Sequence, residues 1–231
     1  PLLIESFTRA ALLIIHLDSD LIEIVLLSLR VTCTGILIAT ILGLGLTLLL
    51  ELKRIPAQGL IVAVLNTLTG LPPVVAGLVL YLFFSRSGPL GFLGLLYTPL
   101  AMIIAQTVLA APIVAALSHA AITSSGHAVR NTALGLGATQ FQAVLAVFQD
   151  ARYAIMAAVA AAFGRVMAEV GAVLMVGGNI AHHTRVMTTA IAMEADKGDF
   201  ELAIALGLIL LALSFLVNGV LYFFQRKGQK R

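Results

Sequence analysis

Tryptophan is absent from this sequence, cysteine occurs once, and only 11% of the residues are charged, against roughly a quarter in soluble domains. So thin a supply of charge cannot cover a water-facing surface, which excludes an ordinary soluble domain. Cys33 has no partner for an internal disulfide, and its place in an apolar stretch reads as packing. No glycine-rich phosphate loop is present, so the chain by itself has no means of hydrolysing ATP. No apolar segment carries the two aspartates of a membrane aspartyl protease, or the serine and histidine of a membrane serine protease, so no catalytic residues are expected. His182 and His183 are adjacent and lack the spacing of a metal pair, so no metal site is expected either. The net charge of +3 is spread among apolar runs, says nothing of nucleic acid and reflects basic cytoplasmic loops, so no nucleic-acid partner is expected. The chain opens at Pro1 with neither a basic leader nor a small-residue cleavage site, and the first apolar segment is expected to act as its own insertion signal.

What the sequence has in abundance is hydrophobicity, 60% of residues with a mean hydropathy of +1.06. Five stretches approach or exceed the roughly 20 helical residues needed to cross a bilayer: 29–50, 59–84, 99–117, 153–176 and 202–224. The expected fold is all-α, a polytopic membrane protein of about five transmembrane helices. Residues 1–28 form an external or interfacial segment, since Glu5, Arg9, Asp18, Asp20 and Glu23 interrupt it; an interfacial helix and a turn are expected before residue 30. Residues 29–225 form the membrane domain and 226–231 a basic tail. Lys53, Arg54, Arg130, Arg152, Arg226, Lys227, Lys230 and Arg231 fall on one side of the membrane, against five basic residues on the other. That bias puts the N-terminus outside and the C-terminus in the cytoplasm. His119 and His127 read as solvated loop residues, and Tyr97, Tyr153 and Tyr222 as interfacial anchors.

The connections are unequal. Residues 51–56 make a tight hairpin, but 119–152 form a long cytoplasmic excursion, and loops of that length usually carry function. Thr139 and Gln142 have capping-box spacing, and Phe141, Val144, Leu145 and Phe148 recur with helical period, so a short amphipathic helix is expected there.

In the second span, Pro72 and Pro73 should kink the helix and free the carbonyls of Leu68 and Thr69. With Asn66, Thr67 and Thr69 just before it, the kink either lines a water-filled path or is structural only. The fourth span holds Arg165 and Glu169 four residues apart, the one ion pair expected at membrane depth. Charges there must face protein or a cavity, so the pair either lines a path or braces helices. Gly177, Gly178 and Asn179 end that span as a helix stop or an external gate.

The stretch NTALGLGATQFQAVLAVFQDARYAI at 131–155 resembles the cytoplasmic motif of binding-protein-dependent ABC importer permeases. Ala133 matches the last Ala of its Glu-Ala-Ala triplet, Gly137 its glycine, and Val147 the apolar position ten further on. Asn131 replaces the usual Glu, Thr132 the usual Ala, and Asp150 the usual terminal Pro. GRVMAEVGAVLMVGGNI at 164–180, LNTLTGLPPVVAGLVLY at 65–81, SRSGPLG at 85–91 and TRVMTTAI at 184–191 are similar to permeases for molybdate and tungstate, more closely the tungstate branch. The resemblance implies a type I ABC importer permease fold in a bacterial or archaeal cytoplasmic membrane. It implies a homodimer, two copies of a P-loop ATPase that hold the ATP and Mg, and an external solute-binding protein; this chain itself binds no cofactor. It also implies that Arg130, Asn131, Ala133, Gly137, Ala138, Phe141, Val147 and Asp150 contact the ATPase, while the physical readings above make Asn66, Thr69, Pro72, Pro73, Arg165, Glu169, Gly177, Gly178 and Asn179 the candidates for the path or its gate. Two other readings stay open: an ion-coupled secondary transporter using Glu169, disfavoured by five spans without an internal repeat, and an intramembrane enzyme.

Overall fold

The computed structural model describes residues 2–16, 18–52 and 57–229, and these contain no strand. Ten α-helices run along the described residues: α1 Leu2–Ile15, α2 Ser19–Leu52, α3 Gln58–Thr69, α4 Pro73–Phe84, α5 Pro99–Gly135, α6 Gln140–Asp150, α7 Arg152–Met167, α8 Gly171–Gly177, α9 Met187–Lys197 and α10 Phe200–Gln229. Among them, α2, the 99–124 part of α5 and the 200–219 part of α10 are each long and apolar enough to cross a membrane. Two bent pairs, α3 with α4 and α6 with α7, would bring the number to five if each pair counts as one span.

The helices differ from the sequence expectation where polar groups interrupt apolar runs. The N-terminal helix ends in a turn at His16, and α2 starts at Ser19, ten residues before the apolar count places a span. Asp18 Oδ1 accepts the backbone N–H groups of Asp20 and Leu21, which starts α2 there. The excursion at 119–152 is mostly helix, because α5 continues to Gly135 and only 136–139 form a turn. His119 is correspondingly a buried helix residue, not a solvated loop one. The second span breaks instead of kinking. Gly70 and Leu71 fold back to the carbonyls of Thr67 and Leu68, Pro72 is extended at φ −62° and ψ 123°, and Pro73 opens α4 at the first helical position, where its missing N–H costs nothing. The carbonyl of Leu68 is therefore satisfied by Leu71 and not freed. The fourth span also breaks, at 168–170, and the connection after it contains α9. Lys53, Arg54, Lys230 and Arg231, with most of the hairpin at 51–56, lie outside the described residues.

The chain divides into two units. The first comprises Pro1–Gly35, Pro72–Gln106 and Arg165–Leu216. Its centre is the contact of α4 with α8, where a Cβ on Gly77 would come 2.7 Å from the Cα of Ala172. Glycine is required there because backbone meets backbone. Met102, Val173, Val176, Met187 and Leu206 are buried in the same unit. Some buried polar groups here are paired: Ser28 Oγ accepts the N–H of Met187 at 2.7 Å, and Gln106 Nε2 donates to the carbonyl of Val166 at 3.3 Å, while Gln106 Oε1 has no hydrogen-bond partner. The second unit comprises Ile36–Leu71, Thr107–Gly164 and Val217–Arg231. One apolar cluster joins Leu50, Leu65, Ala115 and Ala116, and another joins Ile122, Val147, Ala151 and Ile155.

Candidate functional site

In the second unit, the last turn of α5, the turn at 136–139 and α6 build a helix–turn–helix. Gly137 takes φ +89°, a left-handed conformation that any side chain would strain, which is why glycine stands at the corner. The capping box expected from Thr139 and Gln142 is formed: Gln142 N–H donates to Thr139 Oγ1 at 3.3 Å, and Thr139 N–H donates to Gln142 Oε1 at 2.8 Å. Arg130 Nη2 donates to Gln140 Oε1 at 2.9 Å and so ties α5 to the first residue of α6.

The apolar stripe of α6 splits in two. Val144 and Val147 are buried, with Val147 against Ile122 and beside Gly126, and they hold α6 on α5. Phe141 and Leu145 point away, 56% and 47% exposed, and Leu136 at the corner is 84% exposed. Three large apolar side chains on one turn and its following helix form a small unpartnered apolar face. Asn131, Asp150 and Ala138 are exposed or half-exposed around it, and Ala133 is half-buried behind it.

The residues assigned to the path fall into two groups. Asn66 is exposed and Thr69 half-buried on α3 in the second unit, with the Thr69 hydroxyl donating to the Asn66 carbonyl at 2.7 Å. Pro72, Pro73, Arg165, Glu169, Gly177, Gly178 and Asn179 belong to the first unit. Arg165 is in the last turn of α7, but Glu169 is in the break, not on a shared helix face. They still pair, with Arg165 Nη1 at 3.2 Å from Glu169 Oε2; the glutamate is 5% exposed and the arginine 42%. Glu169 does more than neutralise Arg165. Its Oε1 accepts the N–H of Ala172 in the first turn of α8 at 3.0 Å, and its backbone carbonyl accepts the Thr188 hydroxyl at 2.8 Å. The two helix breaks are neighbours, since a Cβ on Gly171 would meet both Val74 Cγ2 and Glu169 Oε1.

At the other end of α8, Gly178 is left-handed at φ +71° and its N–H caps the carbonyl of Leu174. Asn179 follows at φ +51°, held by its Oδ1 accepting the Thr189 hydroxyl at 2.9 Å. The Tyr97 ring occupies the space a Cβ on Gly178 would need, and the Tyr97 N–H donates to the Val176 carbonyl at 2.8 Å. Tyr81 meets Tyr97 edge to face at 6.5 Å. Thr184, Thr188, Thr189 and Gln106, which hold these breaks together, were not singled out by sequence; polar residues spaced irregularly through apolar runs were the available signal. His182 Nδ1 lies 2.8 Å from Glu23 Oε2 at the start of α2, and that hydrogen bond, with the charges of Glu23 and Asp20, holds the imidazole pKa above its ordinary value of 6.5. Among the described residues, no three His, Cys, Asp or Glu side chains are placed to share a metal ion.

An all-helical, multiply spanning chain with broken membrane helices and a projecting helix–turn–helix has the form of a transport permease. The chain belongs to the family of binding-protein-dependent transport system inner membrane components, whose pattern matches residues 35–229. It is 39% identical to the tungstate uptake system permease protein TupB of Peptoclostridium acidaminophilum over 96% of this chain and 98% of that one. It is 43% identical to a probable anion ABC transporter permease protein of Haloferax volcanii, over 87% and 88% of the two chains. Among solved structures, the inward-facing MetNI methionine ABC transporter superposes with a TM-score of 0.75 at 19% identity, covering 90% of this chain and 95% of that one. The all-α importer-permease fold expected from sequence is thereby found.

Proposed function

We propose that this chain is the membrane subunit of an ATP-driven importer for a tetrahedral oxyanion, tungstate in the first place and molybdate in the second. The observation that carries the coupling is the face built by Leu136, Phe141 and Leu145 around the left-handed Gly137. An apolar patch on a projecting helix needs a partner, and a chain without a phosphate loop needs a motor. Two copies of this chain pair around a two-fold axis, and a separate P-loop ATPase, which holds the ATP and Mg, docks on each helix–turn–helix from the cytoplasm. An external binding protein delivers the anion. Closure of the ATPase pair rocks α6, and the path switches from inward-facing to outward-facing. The names of the relatives support the oxyanion.

Arg165 offers a passing dianion a weak, transient partner, because Glu169 already offsets its charge. Weak binding suits a path, where tight binding would slow release. Discrimination between dianions of nearly equal size rests with the binding protein.

The test is uptake into proteoliposomes that hold this chain, an ATPase subunit and the binding protein. Labelled tungstate should enter only with all three and ATP, molybdate should compete, and sulfate should compete less. Uptake without the motor, driven by a proton or sodium gradient and abolished by Glu169→Gln, would replace this reading with ion-coupled transport.

A further inference from the structure

Where α2 ends in the second unit, Glu51 and His119, which belong neither to the docking set nor to the path, meet Arg130, which the sequence assigns to the ATPase contact. The Glu51 side chain is 14% exposed and its Oε1 is fully enclosed. Oε1 lies 3.2 Å from His119 Nδ1, and Oε2 lies 3.9 Å from Arg130 Nη1. The first contact is off the line of a directed hydrogen bond, so it is an ion pair when the imidazole carries a proton. Eleven residues separate His119 from Arg130, close to three turns at about 3.6 residues each, so both approach Glu51 from one face of α5.

Arg130 forks. One terminal nitrogen faces Glu51 and the other donates to Gln140, the first residue of α6. A planar guanidinium can hold two partners in fixed directions, which a lysine ammonium cannot. On the open side of this junction is a cavity of about 730 Å³ lined by Glu51, Gln58, Thr123, His127, Arg130 and Gln140 among others. On that side Glu51, Arg130 and Gln140 are linked by charge and a hydrogen bond, beside the lining leucines Leu50, Leu52 and Leu134. Removing the Glu51 charge leaves His119, 10% exposed, without its counter-charge, and releases Arg130, 32% exposed, from the end of α2.

We propose that Glu51 is a positioning residue for coupling, the enclosed anchor that ties the start of α6, through Arg130, to the end of α2. A displacement of α6 then reaches α2 directly as well as travelling along α5. This rests on the coupling role proposed above for α6.

Two variants separate the contributions. Glu51→Gln keeps the shape and removes the charge, and Arg130→Lys keeps the charge and removes the fork. In proteoliposomes with the ATPase and binding protein, uptake per ATP hydrolysed should fall about fivefold in each, within the range that coupling networks show. The ATPase subunit should still co-purify with the Glu51→Gln chain. Amide exchange over α6, measured on this chain alone in detergent, should quicken about tenfold in Glu51→Gln. Unchanged uptake per ATP overturns the proposal, whether or not exchange quickens. Loss of the ATPase subunit from Glu51→Gln also overturns it, by placing Glu51 in docking. If Glu51→Gln does not give a monodisperse particle, Arg130→Lys decides by the same ratio. Motor-free uptake by the unsubstituted chain would sink the function reading instead, and the exchange measurement would still decide whether Glu51 holds α6.

Discussion

Glu169→Ala tests whether the carboxylate at the fourth-span break supports the structure. The substitution strips Ala172 of the acceptor for its N–H, and Ala172 is fully buried. An orphaned buried donor costs about 1–3 kcal/mol. It also leaves Arg165 without its partner, but that guanidinium is 42% exposed and can be rehydrated, so this loss is about 0–1 kcal/mol. Together these give about 1–4 kcal/mol, and a chain of this size loses roughly 2–4 °C of Tm per kcal/mol, so the midpoint should fall by about 2–16 °C. Glu169→Gln keeps a carbonyl oxygen for Ala172 but sets an amide NH2, which cannot accept, against the exposed Arg165, so only that smaller loss remains and its fall should be under about 4 °C. The assay is thermal unfolding of the detergent-solubilised chain, with both variants side by side. Equal shifts for Ala and Gln would refute the claim that the Ala172 hydrogen bond, and not the charge, holds the break. Transport measured on Arg165→Ala combined with Glu169→Ala then separates the other role: uptake unchanged at a permissive temperature makes the pair a brace only.

Three more outcomes follow from particular contacts. Gly77→Ala puts a methyl 2.7 Å from the Cα of Ala172, which cannot yield as a flexible side chain would, so α4 and α8 must separate; a loss of about 1–3 kcal/mol is expected in the same unfolding assay. Gly137→Val forces a β-branched residue to φ +89° and should turn α6 out of its register on α5 at a cost of roughly 1–3 kcal/mol, leaving ATP hydrolysis running while uptake falls; unimpaired uptake would refute the docking assignment. Because the His182 pKa is raised in the folded chain, its bond to Glu23 contributes fully below the ordinary imidazole value of 6.5 and is lost as pH rises through the higher folded value. Amide exchange at 180–186 should therefore quicken with pH in that window beyond its intrinsic increase, and His182→Gln should remove the extra step.

How much of this was legible in the sequence depends on the range of the interaction involved. The five apolar stretches and the Thr139 capping box rest on residues close in the chain, and both appear in the structure. Gly137 was placed by its motif, and its left-handed backbone supplies the reason for it. The helix ends were misjudged where apolar character and helicity part company. Residues 118–135 are helical without being uniformly apolar, so a count of hydrophobic residues ends the third span too early. His119 read as a loop residue for that reason, and its partner Glu51 is 68 positions away, beyond any local pattern. Likewise, two prolines in an apolar run announce a disturbance but not its size. Whether a helix kinks or stops depends on whether another element satisfies the interrupted backbone.

That condition explains why the breaks in the second and fourth spans belong together. A gap in a membrane helix exposes amide and carbonyl groups that lipid cannot serve, so each gap needs polar partners at the same depth. Here the break at 168–170 supplies its own, as Glu169 gives one carboxylate oxygen to the start of α8, the other to Arg165, and its backbone carbonyl to Thr188. Pro72 and Pro73 solve the same problem by having no N–H to satisfy. With Gly171 and Gly77 bringing α4 and α8 into backbone contact, the first unit keeps two short helices at membrane depth that pack on each other. Two short helices can shift against their flanking spans without breaking a continuous ladder of hydrogen bonds, which a rigid helix of full length could not do. Substituting Pro73 by Ala should therefore leave α4 folded, since helix formation needs no proline there, but should stiffen the break; slower uptake with unchanged Tm is the expected result, and unchanged uptake would show that the break is not used in transport.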